Sequence, residues 1–320
     1  VDCSTGENGF DEKDGGVGLA RKIGMDLALS LFDYNSAKKN ILVCLDADCT
    51  VTENYLSEII FSFNEKNLDA AVVEYEHPLN DFDKNLPAII CYEIFLRYYL
   101  LGLKFANSPF AFHTIGSTIV CTAESYVKTE GMNKRKAAED FYFLEKLSKN
   151  FLIEKINSAK VYPSSRGSWR VPFGTGQRVN RFNLKTEDEY LLYNPESFEL
   201  LRRWNNFYFN SDFSSNDFSE IKNNFPNEFI NFLEEQNFFN VILSLKKNSK
   251  SSQQFFQQKI KWFDAFKTLK LVHYLRDNGF PNLNMFDAVD DLLKKIGYEL
   301  EEFQREKREI IPSIEIQKKY

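Results

Sequence analysis

Ile41-Leu42-Val43-Cys44-Leu45-Asp46-Ala47-Asp48 is the stretch of sequence on which the fold of this chain depends. Five apolar residues, two of them β-branched, predict a buried strand. The strand ends where Asp46 and Asp48 begin, so both carboxylates are expected at the rim of a sheet. Carboxylates in that position suit a hard divalent cation, which takes oxygen ligands and can share them with substrate phosphates. A strand followed by an Asx turn is the alternative interpretation of an isolated Asp-x-Asp.

The stretch after this strand alternates between helix and strand. A helix is predicted at 54–64 and a second apolar strand at 70–75. This alternation predicts an α/β fold, with a mostly parallel sheet flanked by helices. Because ligands of such sheets bind beyond the carboxyl ends of the strands, Asp46, Asp48 and His77 are expected near one site.

The composition is that of an ordinary folded protein, and 320 residues are enough for two domains. Hydrophobic residues make up 43% of the chain and charged residues 27%, which excludes a disordered protein. The net charge of −6 is spread over both halves, so nucleic acid is not expected as a partner. The five cysteines show no CxxC pairing, which indicates reduced thiols in a cytoplasmic protein.

The most apolar long run, 88–106, is interrupted by Glu93, Arg97 and Lys104. A membrane span needs about 20 apolar residues in a row, so this run predicts a buried or interfacial helix and no transmembrane segment is expected. No signal peptide opens the chain. Its first residues resemble the exit of a strand, and we expect further residues before Val1 in the intact protein.

A helix near the start of the chain and a broken pair of strands at 110–121 also contain candidate site residues. An amphipathic helix is predicted at 18–32, with Arg21 near its start, where a cation opposes the helix dipole. The run 110–121 predicts two short strands broken by Gly116, where a ligand or another backbone can approach closely. Within that run, His113 is interpreted as a strand histidine bonded to the fold rather than as a catalyst.

Two more features follow. Glu139-Asp140 opens a predicted helix at 141–147, as helix capping alone would favour. Residues 163–178 have no periodicity, contain three glycines and no acid, and predict a lid loop that closes on an anionic ligand. The side chains that such a lid can offer to phosphate are those of Arg166, Arg170 and Arg178.

After residue 183 the pattern is helical only. Helices are predicted at 195–207, 228–246, 256–275 and 285–296, and the aromatic stripe along 256–275 is interpreted as core. We therefore expect an α/β domain at 1–182 and a helical domain at 183–320.

In their order and spacing, these features resemble the GT-A glycosyltransferases of family 2. The resemblance covers about residues 1–180 and rests on Val1-Asp2 with Ser4-Thr5, Gly16-Val17-Gly18-Leu19-Ala20-Arg21-Lys22-Ile23-Gly24, Asp46-Ala47-Asp48, Gly116-Ser117, Gly131-Met132-Asn133 and Glu139-Asp140. It implies a GT-A-like sheet without its first strand in residues 1–182, followed by the all-helical domain at 183–320.

The resemblance also implies an activity: metal-dependent transfer of a sugar from a nucleotide-sugar donor to an acceptor hydroxyl, with inversion. Asp46 and Asp48 would hold the donor diphosphate through Mg²⁺ or Mn²⁺, and Asp2 and Arg21 would contact the nucleoside. Asp140 would be the catalytic base. A helix N-terminus is expected to lower the pKa of Asp140, although burial acts in the opposite direction.

The acceptor is expected beside the glycine-containing strand, and it can be a glycan, a lipid-linked molecule or a small molecule. The expected acceptor-site residues are His113, Gly116, Ser117, Glu139 and Trp169. The protein is expected in the cytoplasm, where the inner face of the membrane is accessible to it by peripheral contact.

The sequence departs from the family pattern in two respects, and two other functions remain as alternatives. The first strand of the family is absent before Val1, and Gln177 is followed by Arg181-Phe182 at a spacing unlike Gln-x-x-Arg-Trp, so polymer synthesis is not expected. Asp46-x-Asp48-x-Thr50 also fits the nucleophile motif of haloacid-dehalogenase-like phosphatases, but the later acidic residues of that family are incomplete here. A non-catalytic nucleotide-sugar-binding module is the other alternative.

Overall fold

The structure is a computed structural model that describes residues 15–80, 83–169, 174–299, 308 and 310–320, with only the backbone at 215 and 216. The expected donor contacts Asp2 and Arg170 lie outside these residues. The chain divides into two compact units, one formed by Val1–Glu93 and Phe112–Glu189, the other by Ile94–Ala111 and Tyr190–Tyr320. The domain boundary expected after residue 182 stays a prediction.

The first unit combines helices with a five-stranded sheet, which confirms the α/β class. Its helices are α1 (Val17–Leu29), α2 (Tyr55–Glu65), the first part of α3 (Leu86–Phe105), α4 (Ala123–Lys128), α5 (Glu139–Ser148) and α6 (Thr175–Leu184). Its strands are β1 (Ile41–Val43), β2 (Thr50–Val51), β3 (Ala70–Tyr75), β4 (Ile119–Thr122) and β5 (Ile153–Tyr162), and a 3-10 turn at Gly116–Thr118 leads into β4.

The strand order is β1-β4-β3-β5-β2. Among the described strands, β3 and β5 pair in parallel, whereas β1–β4, β4–β3 and β5–β2 are antiparallel. The expectation of a mostly parallel sheet is therefore wrong for the part of the sheet that the structure describes. An apolar run predicts a strand but not its direction, and β4 enters between β1 and β3 in the opposite sense. β1, β3 and β5 share one direction.

Both faces of the sheet are buried. Ala70 and Val72 of β3 belong to one apolar cluster, and Ala71 and Val73 belong to another, because successive side chains of a strand point to opposite faces. α2 covers the second face with Tyr55, Ile59 and Phe63, which recur every four residues along the helix. This arrangement explains why β3 is apolar nearly throughout instead of alternating.

The second unit is mainly helical. Beyond the end of α3 it contains α7 (Pro195–Asn210), α8 (Ser215–Asn224), α9 (Asn227–Glu235), α10 (Phe238–Asn248), α11 (Ser252–Trp262), α12 (Ala265–Asp277), α13 (Met285–Ile296) and α14 (Ile314–Gln317). β6 (Leu191–Leu192) and β7 (Leu283–Asn284) form a short antiparallel ladder. Trp204 and Tyr208 of α7 are fully buried and stack within a cluster of phenylalanine rings. In the aromatic stripe along 256–275, Phe263 is buried, whereas Phe256 and Phe266 are 40% and 38% exposed, so the interpretation of the stripe as core is confirmed only in part.

Two helices expected to be continuous are broken. The region 228–246 turns at Asn237, which has a left-handed φ of 52°. The region 256–275 ends one helix at Trp262, and the side chain of Asp264 caps the next by accepting a hydrogen bond from the Lys267 N–H. Apolar spacing continues through both breaks, so periodicity alone does not reveal them.

A lysine is buried in this aromatic cluster. Lys259 is 3% exposed, and its Nζ donates hydrogen bonds to the carbonyls of Tyr208, Phe209 and Ser211 at 3.1, 2.9 and 3.0 Å. These carbonyls lie at the C-terminal end of α7, where the helix itself supplies no partner. Burial lowers the pKa of Lys259.

By length and composition, α3 could cross a membrane, and it is the single such helix among the described residues. More than half of its most apolar window (56%) is buried within the protein, as in a core helix.

Candidate functional site

The strand β1 runs into a tight turn that carries the two aspartates. The Cys44 N–H donates to the Ile119 carbonyl at 2.9 Å, and the Cys49 N–H donates back to the Asp46 carbonyl at 3.0 Å. The turn leaves the Asp46 and Asp48 side chains 43% and 37% exposed. Their ligand atoms and the Cys49 thiol all lie within 4.8 Å of one another.

Arg21 joins this turn to the acidic pair of α5. Its Nη2 lies 2.5 Å from Asp46 Oδ1, and its Nη1 lies 3.2 Å from Glu139 Oε1. The Arg21 side chain is 11% exposed, and its buried Nη1 has Glu139 as an ionic partner. One guanidinium therefore contacts two of the expected site residues, one through each terminal nitrogen.

The direction of β4 explains why Gly116 is at this site. Because β4 runs opposite to β1, the turn that precedes it lies at the same edge of the sheet as Asp46. A Cβ atom on Gly116 would lie 1.8 Å from Arg21 Nη1, so no larger residue fits while Arg21 keeps this position. Gly116 was predicted as a place of close approach, and the group that approaches it is Arg21.

The acidic pair sits at the first turn of α5. The backbone before it is held by Ala138 in a left-handed conformation (φ 57°) and by Asn133, whose amide donates to the Glu139 carbonyl at 2.8 Å. The Phe141 N–H donates to Asp140 Oδ1 at 2.7 Å, and Asp140 also accepts a backbone hydrogen bond from Gly116. Glu139 is buried, whereas Asp140 is half-buried.

Burial dominates the proton affinity of both carboxyls. It raises the pKa of Glu139 to about 7, the negative charge of Asp140 adds to this effect, and Arg21 opposes it. Burial also raises the pKa of Asp140, against the hydrogen bonds from Phe141 and Gly116 and the charge of Arg21. The expectation that the helix N-terminus would lower the pKa of Asp140 is therefore wrong in direction.

The basic stretch reaches the site through Arg166. Its Nη2 lies 2.6 Å from Asp48 Oδ2, and its side chain is 58% exposed. Trp169 in the same segment is 67% exposed. Arg178 is not part of a loop, because α6 begins at Thr175, and Arg178 forms an ion pair with buried Glu189.

Four of the five predicted acceptor residues, His113, Gly116, Ser117 and Glu139, are buried in the unit. His113 is 6% exposed and its Nε2 donates to the Val73 carbonyl at 3.0 Å, which agrees with its interpretation as a strand histidine bonded to the fold. Ser117 is 2% exposed and its side chain hydrogen-bonds with the Cys49 thiol. Through this hydrogen bond, Ser117 supports the turn that contains the two aspartates.

A second polar group lies after β3 and involves residues that sequence reasoning missed. His77 is 1% exposed, its Nδ1 lies 2.6 Å from Glu93 Oε1, and its Nε2 lies 3.0 Å from Thr175 Oγ1. The position of His77 at a strand end was the signal available in the sequence, but its partners come from α3 and α6, at separations of 16 and 98 residues.

The donor set at the aspartate turn fits Mg²⁺ or Mn²⁺. Asp46 and Asp48 offer carboxylate oxygens, the ligands that these ions prefer, and the two oxygens lie no more than 4.8 Å apart. Burial raises the pKa of the Cys49 thiol, which keeps it protonated and a poor ligand for a hard cation. The residues that would hold the ion are therefore Asp46 and Asp48.

Compared with protein-family models and with curated protein sequences, the chain has no significant match.

Proposed function

We propose that the chain is a glycosyltransferase that moves a sugar from a nucleotide-diphosphate donor to an acceptor hydroxyl, with Mg²⁺ or Mn²⁺ as cofactor and with inversion. The observation that carries the proposal is the double contact of Arg21 with Asp46 after β1 and Glu139 at the start of α5. A carboxylate pair suited to a cation-bound diphosphate and an acidic pair suited to proton transfer are thus both within reach of one guanidinium.

On the donor side, Asp46 and Asp48 hold the ion, which when bound acts as a Lewis acid on the departing nucleoside diphosphate. Arg21 contacts Asp46 through Nη2, so its positive charge lies beside this turn and favours the binding of a phosphate there. Arg166 is the described loop arginine that contacts this turn. Asp2 and Arg170 stay sequence-based donor contacts. Arg178 is left out, because it already pairs with Glu189.

On the chemical side, Asp140 acts as the single base that inversion needs. Glu139 is buried and paired with Arg21, whereas no ion pair holds Asp140 among the described residues, and its carboxyl accepts hydrogen bonds from the Phe141 and Gly116 backbone. Asp140 takes the proton of the acceptor hydroxyl as that oxygen attacks the anomeric carbon, while the bond from carbon to the diphosphate oxygen breaks. Glu139 acts indirectly, by holding Arg21 in place.

For the acceptor we keep Gly116 and Trp169 as neighbours. We remove His113 and Ser117 from direct contact, since His113 Nε2 is bonded to Val73 and the buried Ser117 side chain is bonded to Cys49. The exposed indole of Trp169 offers an apolar face to a glycan or another small acceptor. A lipid-linked acceptor would bring the protein to the inner face of the membrane by peripheral contact, and otherwise its place is the cytoplasm.

The finer fold assignment is part of the same proposal: a GT-A-like domain of family 2 over residues 1–182, with a helical domain at 183–320. The shared direction of β1, β3 and β5 supports it. So does the position of Asp46, Gly116 and Glu139 at one edge of the sheet, where ligands of α/β folds bind.

The test is metal-dependent release of nucleoside diphosphate from a panel of nucleotide sugars, with and without candidate acceptors. Asp46→Asn and Asp48→Asn should abolish release. Asp69→Asn, which removes an exposed carboxylate that pairs with Lys39 in the same unit, should leave it unchanged. Activity that survives Asp48→Asn would contradict the proposal.

The same panel separates the alternatives. Phosphate release from simple phosphomonoesters, with no consumption of nucleotide sugars, would favour the phosphatase. Metal-dependent binding of a nucleotide sugar without turnover in the presence of every acceptor would favour the binding module.

A further inference from the structure

Each aspartate of the turn forms an ion pair with one arginine, and the two arginines differ in exposure and in the number of contacts that hold them. Arg21 is 11% exposed, contacts Glu139 as well as Asp46, and lies against Gly116. Arg166 is 58% exposed, and within the part of the chain that the structure describes it forms one ion pair, with Asp48. Arg21 is therefore a fixed part of the site, and Arg166 can exchange its partner.

The backbone on each side of Arg166 is anchored. The Ser165 hydroxyl donates to Asp83 Oδ2 at 3.0 Å, and the Asn180 amide donates to the Ser168 carbonyl at 2.9 Å. Gly167 lies between these anchors, and a Cβ on it would meet Asn180 Oδ1 at 2.4 Å. Arg166 can therefore leave Asp48 by rotating its own side chain, with the neighbouring backbone kept in place.

A divalent ion and the Arg166 guanidinium compete for Asp48. Each is a cation that seeks the same carboxylate, and on that carboxylate they would lie within a few ångströms of each other. Repulsion between a double and a single positive charge at such a distance is twice that between two unit charges. An exposed ion pair is weakly held, so the divalent ion can displace the arginine.

We propose that Arg166 is an exchange residue: it neutralises Asp48 while the site is empty, leaves when the divalent ion binds, and then donates to the diphosphate that the ion brings. This inference rests on the proposed function, because it takes Asp48 as a metal ligand. If the inference is right, Arg166 weakens binding of the ion when no nucleotide is present. It strengthens binding of the nucleotide when the ion is present.

The test is a pair of equilibrium measurements without turnover. Mn²⁺ alone is titrated into the full chain and followed by the electron paramagnetic resonance of free Mn²⁺, and UDP or GDP is then titrated calorimetrically at saturating Mn²⁺. Arg166→Gln should tighten Mn²⁺ binding about three- to ten-fold, because it removes the competing cation. The same variant should weaken nucleotide binding roughly ten-fold, because it removes a charge-assisted hydrogen bond.

Two variants serve as controls. Arg166→Lys keeps the charge and should stay close to the wild type in both titrations. Lys160→Gln removes one positive charge from an exposed ion pair with Glu76 on the same sheet, and should change neither affinity. Together, these two variants show whether a change in affinity comes from the loss of Arg166 at Asp48 or from the change in the net charge of the protein.

The outcomes separate the two proposals. If Asp48→Asn leaves Mn²⁺ affinity unchanged, the metal site itself is wrong and the proposed function fails. If Asp48→Asn removes Mn²⁺ binding but Arg166→Gln leaves it unchanged or weakens it, the metal site stands and the exchange is overturned. A change of the same sign in both titrations of Arg166→Gln would also overturn the exchange.

Discussion

The guanidinium of Arg21 occupies the space that a side chain on residue 116 would need, since a Cβ on Gly116 would fall 1.8 Å from Nη1. Gly116→Ala should therefore displace Arg21 from Asp46 and Glu139 together. Misplacement of a site group by about 1 Å can cost on the order of 10²-fold in rate, and we expect a loss of that size in sugar transfer, with weaker nucleotide binding.

The matched control for this variant is Gly24→Ala in α1, where a Cβ would meet nothing within 4 Å. It should leave transfer unchanged and stabilise the helix by about 0.5–1 kcal/mol, measured by thermal unfolding. Equal transfer rates in Gly116→Ala and the wild type would contradict the role given to Arg21.

Asp140→Asn tests the base. Loss of a general base typically costs ~10²–10⁴-fold in rate, whereas nucleoside diphosphate affinity should stay close to that of the wild type. Glu139→Gln should reduce transfer less, because it leaves the base in place and loosens only one contact of Arg21. The measurements are transfer rate, nucleotide affinity and the anomeric configuration of the product. Wild-type rates in Asp140→Asn, or retention of configuration, would overturn the mechanism.

Glu139 should make stability depend on pH. Its pKa is about 7 in the folded protein against an ordinary value of 4.5, so the fold favours the protonated form. The stabilisation is fully present below about pH 4.5 and is lost as pH rises through 7. We expect Glu139→Gln to match the wild type near pH 4.5 and to exceed its stability at pH 8 by on the order of 2 kcal/mol.

Thermal unfolding from pH 4.5 to 8 measures this effect. Glu58→Gln, at a partly exposed position of α2, should keep the wild-type pH profile. Parallel profiles for Glu139→Gln and the wild type would show that the pKa of Glu139 is not raised in the fold.

Sequence patterns predicted a helix or strand correctly where the spacing of apolar residues is enough to define it. Residues 70–75 and 285–296 are the strand and the helix expected, because apolar spacing alone defines them. The direction of β4, by contrast, depends on which strands it joins, and no local pattern encodes that choice.

The same limit applies to the site. Asp46, Arg21, Gly116 and Glu139 were each singled out in the sequence, and the structure brings them together. The partner of each is set by tertiary packing, as it is for the Arg166–Asp48 pair, which spans 118 positions of the chain. At Asp140 the helix N-terminus and burial act on the pKa in opposite directions, and no local pattern shows that burial is the larger effect.

Lys259→Met tests the buried lysine of the helical unit. The variant fills a similar volume but leaves the carbonyls at the end of α7 without their shared donor, so we expect a loss of about 2–4 kcal/mol in the free energy of unfolding. Lys261→Met in the same helix changes an exposed lysine and should stay within about 0.5 kcal/mol of the wild type. Equal stabilities of the two variants would contradict this role.

Lys259 also bears on how many ways the rings around it can be arranged. The chain has 31 phenylalanines, and similar rings can exchange places at a small cost in volume. A buried ammonium group is satisfied only where several carbonyls meet it at once, and any other arrangement leaves a charge without acceptors. We therefore expect this one cation to raise the energy of alternative packings of the aromatic core and so to widen the gap that separates them from the native one.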